Sequence, residues 1–471
     1  MPVSCNRKEC SARVDKMTHL ASSRRRMPMP RARSFRPSDV LALGVGNGIL
    51  IVGMWIRHGG LNDLTTAGAL LTAGGQVTAL LGTYVALIGL VLMSRSPWLD
   101  RLFGLPRLAS WHRWLGFGCV WLLVAHTVLT TVGFALTTRS DVLVETWSLL
   151  TTYPYVLMAT VGLVMLVAVG ITSVRIARRR LTYETWYFIH LYAYLGMALG
   201  FAHQLVVGTD FLSDPVAVAY WVGLYLATVA AIITFRVGQP LQLFFRHRLE
   251  VAYVAPEGPG VVSVYVTGRR LDQLTAQAGQ YFLWRFLAGD GWWRAHPFSL
   301  SAAPNDQYLR LTVKASGDGT SVIQRLPTGT RVFVEGPYGA FTADTRTQPG
   351  VLLIAGGIGI APLRALLEEM PAVHGAITLI YRASRWEDVV FAAELEALLK
   401  ARGGRVHYLI GRRAELGRDP LDARHLQRNV PDIAQREIYV CGPEGMIDAV
   451  KRSLHQLRVP GSQIHEERFA Y

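Results

Sequence analysis

The sequence of 471 residues predicts a multidomain membrane protein: a bundle of six transmembrane helices, then an antiparallel β-barrel domain, then an α/β domain with a parallel sheet. Three observations predict this fold class. Hydrophobic residues make up 51% of the chain and the mean hydropathy is +0.26, which is high for a soluble protein. Six apolar stretches have the length of a membrane crossing. After residue 239 the apolar runs shorten to strand length. The predicted domains are the tail 1–37, the bundle 38–237, the barrel 238–345 and the α/β domain 346–471.

The first 37 residues are basic and rich in Ser, Pro and Met, with Arg24, Arg25 and Arg26 in a row. Such a segment has too few apolar residues to form a core, so we predict a disordered cytoplasmic tail. The formal net charge of +15 is compatible with nucleic-acid binding. The basic residues, however, crowd this tail and the short loops between apolar helices, as in the cytoplasmic segments of membrane proteins. We therefore expect a lipid bilayer, and no nucleic acid, as a partner.

The six predicted spans cover residues 40–56, 75–93, 114–136, 155–176, 183–207 and 215–235. One set of loops is rich in arginine, with Arg95, Arg101, Arg107, Arg113, Arg175, Arg178, Arg179, Arg180, Arg236, Arg246 and Arg248. The other set carries Asn62, Asp63, Asp141, Glu145, Asp210 and Asp214. Arginine-rich loops stay in the cytoplasm. The sequence thus predicts a multi-pass protein of the cell membrane with both termini cytoplasmic.

Two of these spans carry two histidines each. His112 and His126 are 14 residues apart in the third span, and His190 and His203 are 13 residues apart in the fifth. Each separation is about 20 Å along a helix, most of the hydrocarbon depth of a bilayer. Ionisable side chains at this depth are costly and usually functional. Because both helices run outward, His112 matches His190 near the cytoplasm, and His126 matches His203 near the outside.

Each matched pair is predicted to ligate the iron of one b-type haem, the alternative being that these histidines are hydrogen-bonded core residues. Two imidazoles fill both axial positions, so such a haem passes electrons and does not readily bind dioxygen. A spacing of fourteen residues returns to nearly the same face of a helix, as for His112 and His126. A spacing of thirteen does not, so His190 and His203 require either a local distortion of their helix or a broad ligand-bearing face. Nearby glycines either admit the porphyrins or pack helices together: Gly116, Gly118, Gly196 and Gly200.

From residue 240 onward the pattern changes to strands. The runs LEVAYVAP, VVSVYVTG, QYFLWRF and YLRLTVKAS alternate and predict a small antiparallel barrel ending near Thr345. The run VLLIAGGIGIAPLRALLEEM reads as an apolar strand, a glycine turn and a helix. Glycines let the backbone approach a pyrophosphate closely, and the helix N-terminus faces its negative charge. Strands and helices then alternate up to EIYVCGPEGM, which supports a parallel nucleotide-binding sheet.

Five motifs occur in a fixed order: HPFSLSAAP, GDGTS, EGPYG, AGGIGIAP and YVCGPEGM. They resemble the ferredoxin–NADP reductase-like module that binds FAD and NAD(P)H. The preceding helices, with histidine pairs at spacings of 14 and 13, resemble the ferric-reductase transmembrane domain. Over residues 40–471 the chain therefore resembles bacterial members of the NADPH oxidase and ferric reductase family. This resemblance implies FAD, two b-type haems and NADPH or NADH as cofactors.

The resemblance assigns the flavin site to two motifs. The residues that would line the flavin are His296, Pro297, Phe298 and Ser299. Within this motif, the hydroxyl of Ser299 would donate a hydrogen bond near flavin N5. The residues that would present backbone N–H groups and hydroxyls to the FAD pyrophosphate are Gly319, Thr320 and Ser321. Lys314 either adds positive charge there or is a solvated strand lysine.

The resemblance assigns the dinucleotide site in the same way. The residues that would cradle the nicotinamide dinucleotide are Gly356, Gly357, Gly359, Ala361 and Pro362. The residues that would lie beside the nicotinamide ring are Cys441, Gly442 and Pro443. Cys441 would face the reactive carbon, or is a buried structural cysteine. Phe469 best matches the aromatic residue that covers the flavin, with Tyr471 as the alternative. Ser299, Cys441 and Phe469 are thus the catalytic candidates.

The coenzyme prediction depends on the segment after the second strand of the nucleotide fold, where Arg382, Ser384 and Arg385 stand. A cation and a hydroxyl there can hold the 2′-phosphate of NADPH, and no acidic residue immediately follows the strand to bind the free hydroxyl of NADH. We therefore expect NADPH, with NADH as the alternative.

The family resemblance implies electron transfer from cytoplasmic NAD(P)H through FAD and both haems to an external acceptor, either dioxygen, giving superoxide, or a ferric chelate. One alternative is a membrane electron-donor subunit that reduces quinone or an exported partner protein, and another is a haem redox sensor without turnover. In the family's oxidases we expect an outer cation on the second helix and a second histidine after the outer ligand. This chain has Gln76 and Thr130 there, while Arg57 and His58 are either substitutes or interfacial anchors.

Overall fold

The computed structural model describes residues 36–174, 178, 180–208, 214–370, 377–412, 415 and 419–469. Residues 1–35 of the predicted tail lie outside the described residues, as do Arg175, Arg179, Asp210 and Tyr471. The chain divides into a helical unit, Arg36–Gln239, and a C-terminal unit that contains Pro240–Tyr471.

The helical unit is built from long apolar helices. The described helices are α1 (Pro37–Arg57), α2 (Ala67–Leu92), α3 (Pro97–Phe103), α4 (Leu105–Thr138), α5 (Val142–Thr152), α6 (Val156–Ser173), α7 (Tyr183–Val207) and α8 (Pro215–Ile233). Side-chain caps set several starts, because Thr66, Asp141, Thr182 and Asp214 each accept a hydrogen bond from a first-turn N–H. A π-helical turn, Thr234–Gly238, continues α8 into α9 (Gln239–His247).

Five helical stretches among the described residues are long and apolar enough to cross a membrane. They are Pro37–Arg57, Ala67–Leu92, Leu105–Thr138, Val156–Ser173 and Pro215–His247. They correspond to five of the six predicted spans. The sixth predicted span is α7, which has 25 residues but is not among the five. Its Tyr, Trp and His residues lower its hydropathy, so its membrane crossing stays a prediction.

Small residues let α2 and α4 approach each other closely. A Cβ atom on Gly133 would lie 2.8 Å from the backbone nitrogen of Thr72 and 2.9 Å from the carbonyl oxygen of Gly68. A Cβ atom on Gly75 would lie 3.1 Å from the backbone nitrogen of Thr130. The contacts at Gly133 are shorter than real Cβ atoms accept, so glycine is required there, and at Gly75 a larger residue would force the backbone of α4 to shift. Close backbone approach through small residues is the common packing device of membrane helices.

The C-terminal unit begins with two three-stranded antiparallel sheets. Their strands are β1 (Glu250–Gly258), β2 (Val261–Thr267), β3 (Tyr281–Phe286), β4 (His296–Ser299), β5 (Leu309–Lys314) and β6 (Val332–Tyr338), with α10 (Asp318–Ile323) between β5 and β6. The strand orders are β1-β2-β5 and β4-β3-β6. Isolated bridges, Glu250 with Arg331 and Leu300 with Leu311, link strands of the two sheets. Closure into a barrel stays a prediction, and we call this two-sheet part the barrel for short. Phe282, Trp284 and Leu311 are in the core between the two sheets.

A five-stranded parallel sheet follows. Its strands are β7 (Gly350–Gly356), β8 (Ile377–Ala383), β9 (Arg405–Ile410), β10 (Arg436–Pro443) and β11 (Ile464–Phe469). The helices of this part are α11 (Ile360–Glu369), α12 (Ala392–Lys400), α13 (Ala423–Asn429) and α14 (Glu444–Gln456). The strand order is β11-β10-β7-β8-β9, and every pairing is parallel. Strand order therefore reverses between β7 and β10, which is where open α/β sheets bind ligands.

Candidate functional site

The four histidines of the helical unit form two pairs. The ring centroids of His112 and His190 are 5.8 Å apart, and those of His126 and His203 are 6.5 Å apart. These are the pairs predicted from depth. Helix α7 is continuous from Tyr183 to Val207, so His190 and His203 leave a broad face and no break in the helix is needed.

Backbone carbonyls orient three of the four imidazole rings. The Nδ1 contacts are His112 with Gly89 O at 3.0 Å, His126 with Gly75 O at 2.9 Å and His203 with Gly200 O at 2.6 Å. Because a carbonyl oxygen only accepts, each Nδ1 carries the ring proton and each Nε2 keeps its lone pair. A metal-bound histidine usually has such a partner on its other nitrogen. Three rings are therefore prepared to ligate through Nε2.

His190 is held by side chains instead. Its Nδ1 lies 3.4 Å from the hydroxyl of Ser173, which also accepts a 3.3 Å hydrogen bond from Nε1 of Trp186. The Trp186 ring stacks on the His190 ring at a centroid distance of 5.0 Å. The guanidinium carbon of Arg178 lies over the Trp186 ring, 4.7 Å from its centroid. Helices α6 and α7 thus fix this ring together.

His126 and His203 line a cavity within the helical unit, together with Gln76, Thr130, Gln204 and Tyr225. The hydroxyl of Thr130 lies 3.2 Å from Nδ1 of His126, and Nε1 of Trp55 donates to Oε1 of Gln76 at 2.9 Å. The positions where an outer cation was expected therefore carry neutral hydrogen-bonding groups. His58 forms a 2.8 Å pair with Asp214, which joins the end of α1 to the start of α8.

The histidine pairs have the spacing that a bis-histidine iron needs. A bond between a metal and an imidazole nitrogen is about 2 Å long, so two rings on opposite sides of one iron have centroids roughly 6 Å apart. The observed separations of 5.8 and 6.5 Å bracket this value. Gly116, Gly118 and Gly200 have no heavy atom within 4 Å of an added Cβ, whereas Gly196 packs against Gly162 O of α6. Gly196 therefore serves helix packing.

In the C-terminal unit, the first predicted flavin motif lies at the end of the barrel. The ring of His296 stacks on Phe298 at 5.9 Å, and a Cβ atom on Gly319 would lie 3.0 Å from Cε1 of His296. The structure thus brings the two predicted flavin motifs together, and glycine at 319 leaves room for the ring. Burial, with the nearby charge of Arg294, lowers the pKa of His296, so this ring is a neutral donor or acceptor. Pro297 is exposed beside it.

The hydroxyls of the GDGTS motif are occupied within their own loop. The Thr320 hydroxyl accepts from the backbone N–H groups of Ser316 and Gly317 at 2.8 and 3.1 Å and donates to Gly317 O at 3.0 Å. The Ser321 hydroxyl donates to Gly317 O at 2.9 Å. These hydroxyls shape the loop, and their contact with a pyrophosphate stays a prediction. Lys314 lines the dinucleotide cavity described next.

The dinucleotide motif stands at the switch point of the parallel sheet. Gly357 follows β7 with a φ of +54°, which L side chains rarely adopt. A Cβ atom on Gly442 would lie 3.2 Å from the Cα atom of Gly356, so the ends of β7 and β10 touch through glycine. Ala361 and Pro362 are buried in the first turn of α11. The cavity over this turn is lined by Gly356, Gly357, Ile358, Arg382, Ser384, Asp388, Asp419, Pro443 and Met446, among others.

Two acidic side chains also reach this cavity, Asp388 from the segment that follows β8 and Asp419 from a segment distant in sequence. Asp388 and Asp419 line it beside Arg382. The Arg382 guanidinium donates to the carbonyl oxygens of Ala383 and Leu409, the latter at 3.0 Å. Arg385 is 64% exposed with its Nε atom 3.7 Å from Asp388. The charge around the predicted 2′-phosphate position is therefore mixed, and the preference for NADPH stays a prediction.

The predicted catalytic residue Ser299 meets an unpredicted residue, Glu467, where the barrel faces the parallel sheet, and the predicted residues Cys441 and Phe469 lie on the same two neighbouring strands, β10 and β11. Ser299 Oγ donates to Oε1 of Glu467 at 2.9 Å, and Glu467 stands opposite Cys441 in the β10–β11 register. Burial, with the nearby charge of Glu467, raises the pKa of the Cys441 thiol well above its usual range. Phe469 is partly buried and stands opposite Pro443. Sequence reasoning missed Glu467 because its partner is 168 residues away.

A buried ion pair joins the same two parts. Arg310 of β5 is 3% exposed and reaches Glu394 of α12 through two bonds of 3.0 and 3.1 Å. Nε of Arg364 donates to the same carboxylate at 2.8 Å. Burial would raise the pKa of Glu394, but Arg310 and Arg364 outweigh it and lower the pKa. This pair fixes the barrel against the α/β part, and no motif in the sequence predicts it.

Three family matches cover these parts in order. Residues 78–201 match the ferric reductase like transmembrane component, residues 249–342 match an FAD-binding domain, and residues 353–452 match the oxidoreductase NAD-binding domain. The chain has the architecture of ferric reductase and NADPH oxidase-like proteins. In this ferric-reductase-like chain, an apolar helical region with the histidine pairs precedes a ferredoxin–NADP reductase-like module.

Individual relatives match the module of this ferric-reductase-like chain. It is 29% identical over 203 residues to an NADPH oxidoreductase of Mycobacterium tuberculosis, covering 41% of this chain and 52% of the relative. It is 30% identical over 185 residues to a glycine betaine monooxygenase reductase subunit of Chromohalobacter salexigens, covering 36% and 50%. The chain thus spans about half the length of both curated relatives. The flavohem-like FAD/NAD binding domain of nitric oxide dioxygenase from Vibrio cholerae matches at 25% identity, with a TM-score of 0.38, over 47% of this chain and 98% of that domain.

Proposed function

We propose that this protein is a membrane-linked oxidoreductase of the ferric reductase type, which takes electrons from NAD(P)H and delivers them across the membrane to an external acceptor. The acceptor is dioxygen, which becomes superoxide, or a ferric chelate. When bound, FAD accepts a hydride from the nicotinamide and releases electrons singly, and the two haems carry single electrons. The observation that carries this proposal is the pair of facing histidine layers whose outer-layer Nδ1 atoms are both bonded to backbone carbonyls.

The four histidines would hold two haem irons through Nε2, His112 with His190 and His126 with His203. The carbonyls of Gly89, Gly75 and Gly200 keep three of the rings in the required tautomer. Two imidazoles on each iron leave no open position, so an external acceptor must take its electron at the edge of the porphyrin. This requirement suits dioxygen and ferric chelates, neither of which then has to reach the iron.

The residues of the C-terminal unit would bind and orient the flavin and the nucleotide. The motif His296–Ser299 and the loop Gly319–Ser321 would hold the flavin and its pyrophosphate, and the glycine turn Gly356–Gly359 would hold the dinucleotide. Ser299 donates its one hydroxyl proton to Glu467, so its oxygen would be held in place beside the flavin, and donation to flavin N5 would require this bond to open. Cys441 is buried and its raised pKa keeps it neutral, so it would shape the nicotinamide pocket without adding a charge. Arg382 and Lys314 would supply positive charge to the coenzyme phosphates.

The proposed setting is the cell membrane, with both termini and the C-terminal unit in the cytoplasm and the His126–His203 layer toward the outside. The loop charges carry this orientation by the positive-inside rule. After Tyr471, a fused reporter that works only in the cytoplasm should be active, and a fused reporter that works only after export should be inactive. An active exported reporter at this position would reverse the orientation.

The deciding experiment is anaerobic reduction of the purified, FAD-loaded protein by NADPH or NADH, followed optically. We expect a b-type spectrum with two haems per chain that the nucleotide reduces, and then reoxidation by air or by a ferric chelate, whichever is the faster acceptor. His203→Ala should lose one haem, whereas the exposed His455→Ala should keep both. Two intact haems in His203→Ala, or haems that no nucleotide reduces, would refute the proposal. Reoxidation only by quinone would instead indicate the electron-donor subunit.

A further inference from the structure

Four large apolar side chains of the C-terminal unit are exposed in the complete chain. Leu241 and Phe245 of α9 are 41% and 64% exposed, and Trp292 and Trp293 of the β3–β4 loop are 57% and 48% exposed. We call these four residues the aromatic surface. Single exposed apolar residues are ordinary in proteins, but a patch that includes two adjacent tryptophans and a phenylalanine usually marks an interaction site.

One face of helix α9 packs against the barrel, and the opposite face is exposed. Leu241 and Phe245 are four residues apart, so they share the outer face. Pro240 and His247 are buried on the inner face, and Nδ1 of His247 donates to the carbonyl oxygen of Arg269 at 3.0 Å. The helix therefore presents its apolar side chains outward while its inner face is fixed to the barrel.

A chain of contacts places the tryptophan loop next to this helix. The rings of Phe244 and Phe333 have centroids 5.6 Å apart. The guanidinium carbon of Arg285 lies 5.6 Å from the Phe333 centroid, and its Nε atom donates to the carbonyl oxygen of Trp293 at 3.1 Å. Two side chains of the paired strands β3 and β6, Arg285 and Phe333, thus connect the loop to the helix. On this ground we treat the four apolar side chains as one surface.

Arginines border this surface. Arg246 and Arg248 are exposed at the end of α9, and Arg294 is exposed beside the tryptophans, with its guanidinium carbon 5.3 Å from the Trp293 centroid. Arg331 is also exposed and lies 4.5 Å from the Phe244 centroid. Tryptophan with arginine is the combination that proteins place at the headgroup level of a bilayer. Amphipathic helices with basic residues lie in the same zone.

We propose that the aromatic surface rests in the headgroup region of a bilayer that contains anionic lipid, so that the flavin-binding barrel is held against the membrane. Chain continuity selects lipid as the occupant, because α9 continues α8 and the helical stretch Pro215–His247 contains an apolar segment long enough to cross a membrane. The inference rests on the proposed membrane crossing of α8. It adds a second contact, the tryptophan loop, which lies far from α9 in sequence and meets the lipid only through the fold.

The test measures the depth of nitroxide spin labels in the full-length protein, reconstituted in vesicles of phosphatidylcholine and phosphatidylglycerol. Labels are placed by Phe245→Cys and Trp292→Cys, in a background where Cys5 and Cys10 are serine; Cys119 and Cys441 are buried and stay. Glu444→Cys, whose native side chain is 74% exposed on α14, is the matched control. Collision with dioxygen reports lipid, and collision with a nickel chelate reports water.

We expect labels at 245 and 292 to collide at least severalfold more with dioxygen than with the nickel chelate, and the label at 444 to show the reverse. Arg294→Glu, or vesicles without phosphatidylglycerol, should reduce the depth at 292. Labels at 245 and 292 as water-accessible as the control would overturn the inference, and labels that neither reagent reaches would indicate a protein partner instead. Haem content and nucleotide reduction, measured on the same samples, show separately whether the proposed function holds.

Discussion

Ser299 and Glu467 meet across the boundary between the barrel and the parallel sheet, where the Ser299 hydroxyl donates to Oε1 of Glu467 at 2.9 Å. Ser299 ends β4 and Glu467 lies in β11 opposite Cys441. The bond therefore ties the predicted flavin motif to the predicted nicotinamide motif. Glu467 accepts the only hydroxyl proton of Ser299 and so fixes the position of the side-chain oxygen that is proposed to lie beside the flavin.

Glu467→Ala should slow flavin reduction by NAD(P)H by about tenfold or more, because a misplaced group beside the reacting atoms commonly costs that much. The FAD content should stay unchanged, since Glu467 belongs to the α/β part. Stopped-flow reduction at saturating nucleotide measures the rate, and titration of the nucleotide separates it from binding. Glu466→Ala, at the exposed neighbouring position, is the control. Equal rates in both variants would show that the bond has no role in orientation.

Arg310→Met should destabilise the C-terminal unit strongly. The guanidinium is 3% exposed and shares two bonds with Glu394, so its removal leaves a carboxylate with part of its charge uncompensated. Breaking a buried pair from one side costs about 3–5 kcal/mol. Arg310→Met combined with Glu394→Gln should recover part of this loss. Arg412→Met, whose side chain is 68% exposed, should have little effect. Thermal unfolding of these proteins and of Glu394→Gln alone makes the comparison, and additive effects in the double variant would argue against the pairing.

Glu437 should make stability fall in acid. Its buried carboxylate accepts from Thr347 N, Thr347 Oγ1 and Gln348 N at 2.8 to 3.0 Å and pairs with His465 at 2.5 Å. Burial would raise the pKa of Glu437, but the bond with His465 and the bonds from Thr347 and Gln348 outweigh it and lower the pKa. A lowered pKa stabilises the fold at a pH above the unfolded value of about 4.3, and this stabilisation is lost as the pH falls through the folded value.

Glu437→Gln should therefore lower the melting temperature at pH 7 and flatten its decline below about pH 5, where the pH falls through the unfolded and then the lowered folded pKa. The loss at pH 7 should be about 1–3 kcal/mol, the cost of leaving buried donors poorly paired. The exposed Glu444→Gln is the control. If wild type and Glu437→Gln lost stability in parallel over this range, another group would carry the acid sensitivity.

Burial and the raised pKa of Cys441 predict a thiol that alkylating reagents modify slowly at neutral pH, because the thiolate is the reactive form. Iodoacetamide followed by peptide mass spectrometry should label Cys441 at least tenfold faster after denaturation than in the native protein. Fast labelling in the native protein would show that Cys441 is an accessible thiolate. Cys441 could then not be the neutral wall of the nicotinamide pocket that we propose.

The sequence was sufficient to predict those features that depend on a local residue pattern and a simple rule of chain geometry. The depth of His112 and His190 along two spans that run in the same direction predicted their pairing, because a helix advances by a constant rise. The glycine turn after β7 was visible because positive φ and close approach both require glycine. Glu467, Glu394 and Asp419 could not be predicted, since their partners are distant in sequence and depend on how the barrel and the sheet pack. For the same reason, the packing role of Gly196 could not be predicted, because it depends on where α6 lies relative to α7.

The close approach of α2 and α4 gives a last prediction, because Gly75 both packs against α4 and orients His126 through its carbonyl. Gly133→Leu should push the two helices apart, since a Cβ atom there already meets Thr72 N at 2.8 Å. His126 would then lose its carbonyl partner, and the outer haem should be lost while the His112–His190 haem stays. In the pyridine haemochrome assay, the haem content should fall from two haems per chain toward one.

Gly223→Leu, at a glycine with no heavy atom within 4 Å of an added Cβ, should keep both haems. Two haems in both variants would mean that Gly75 does not control the outer ligand.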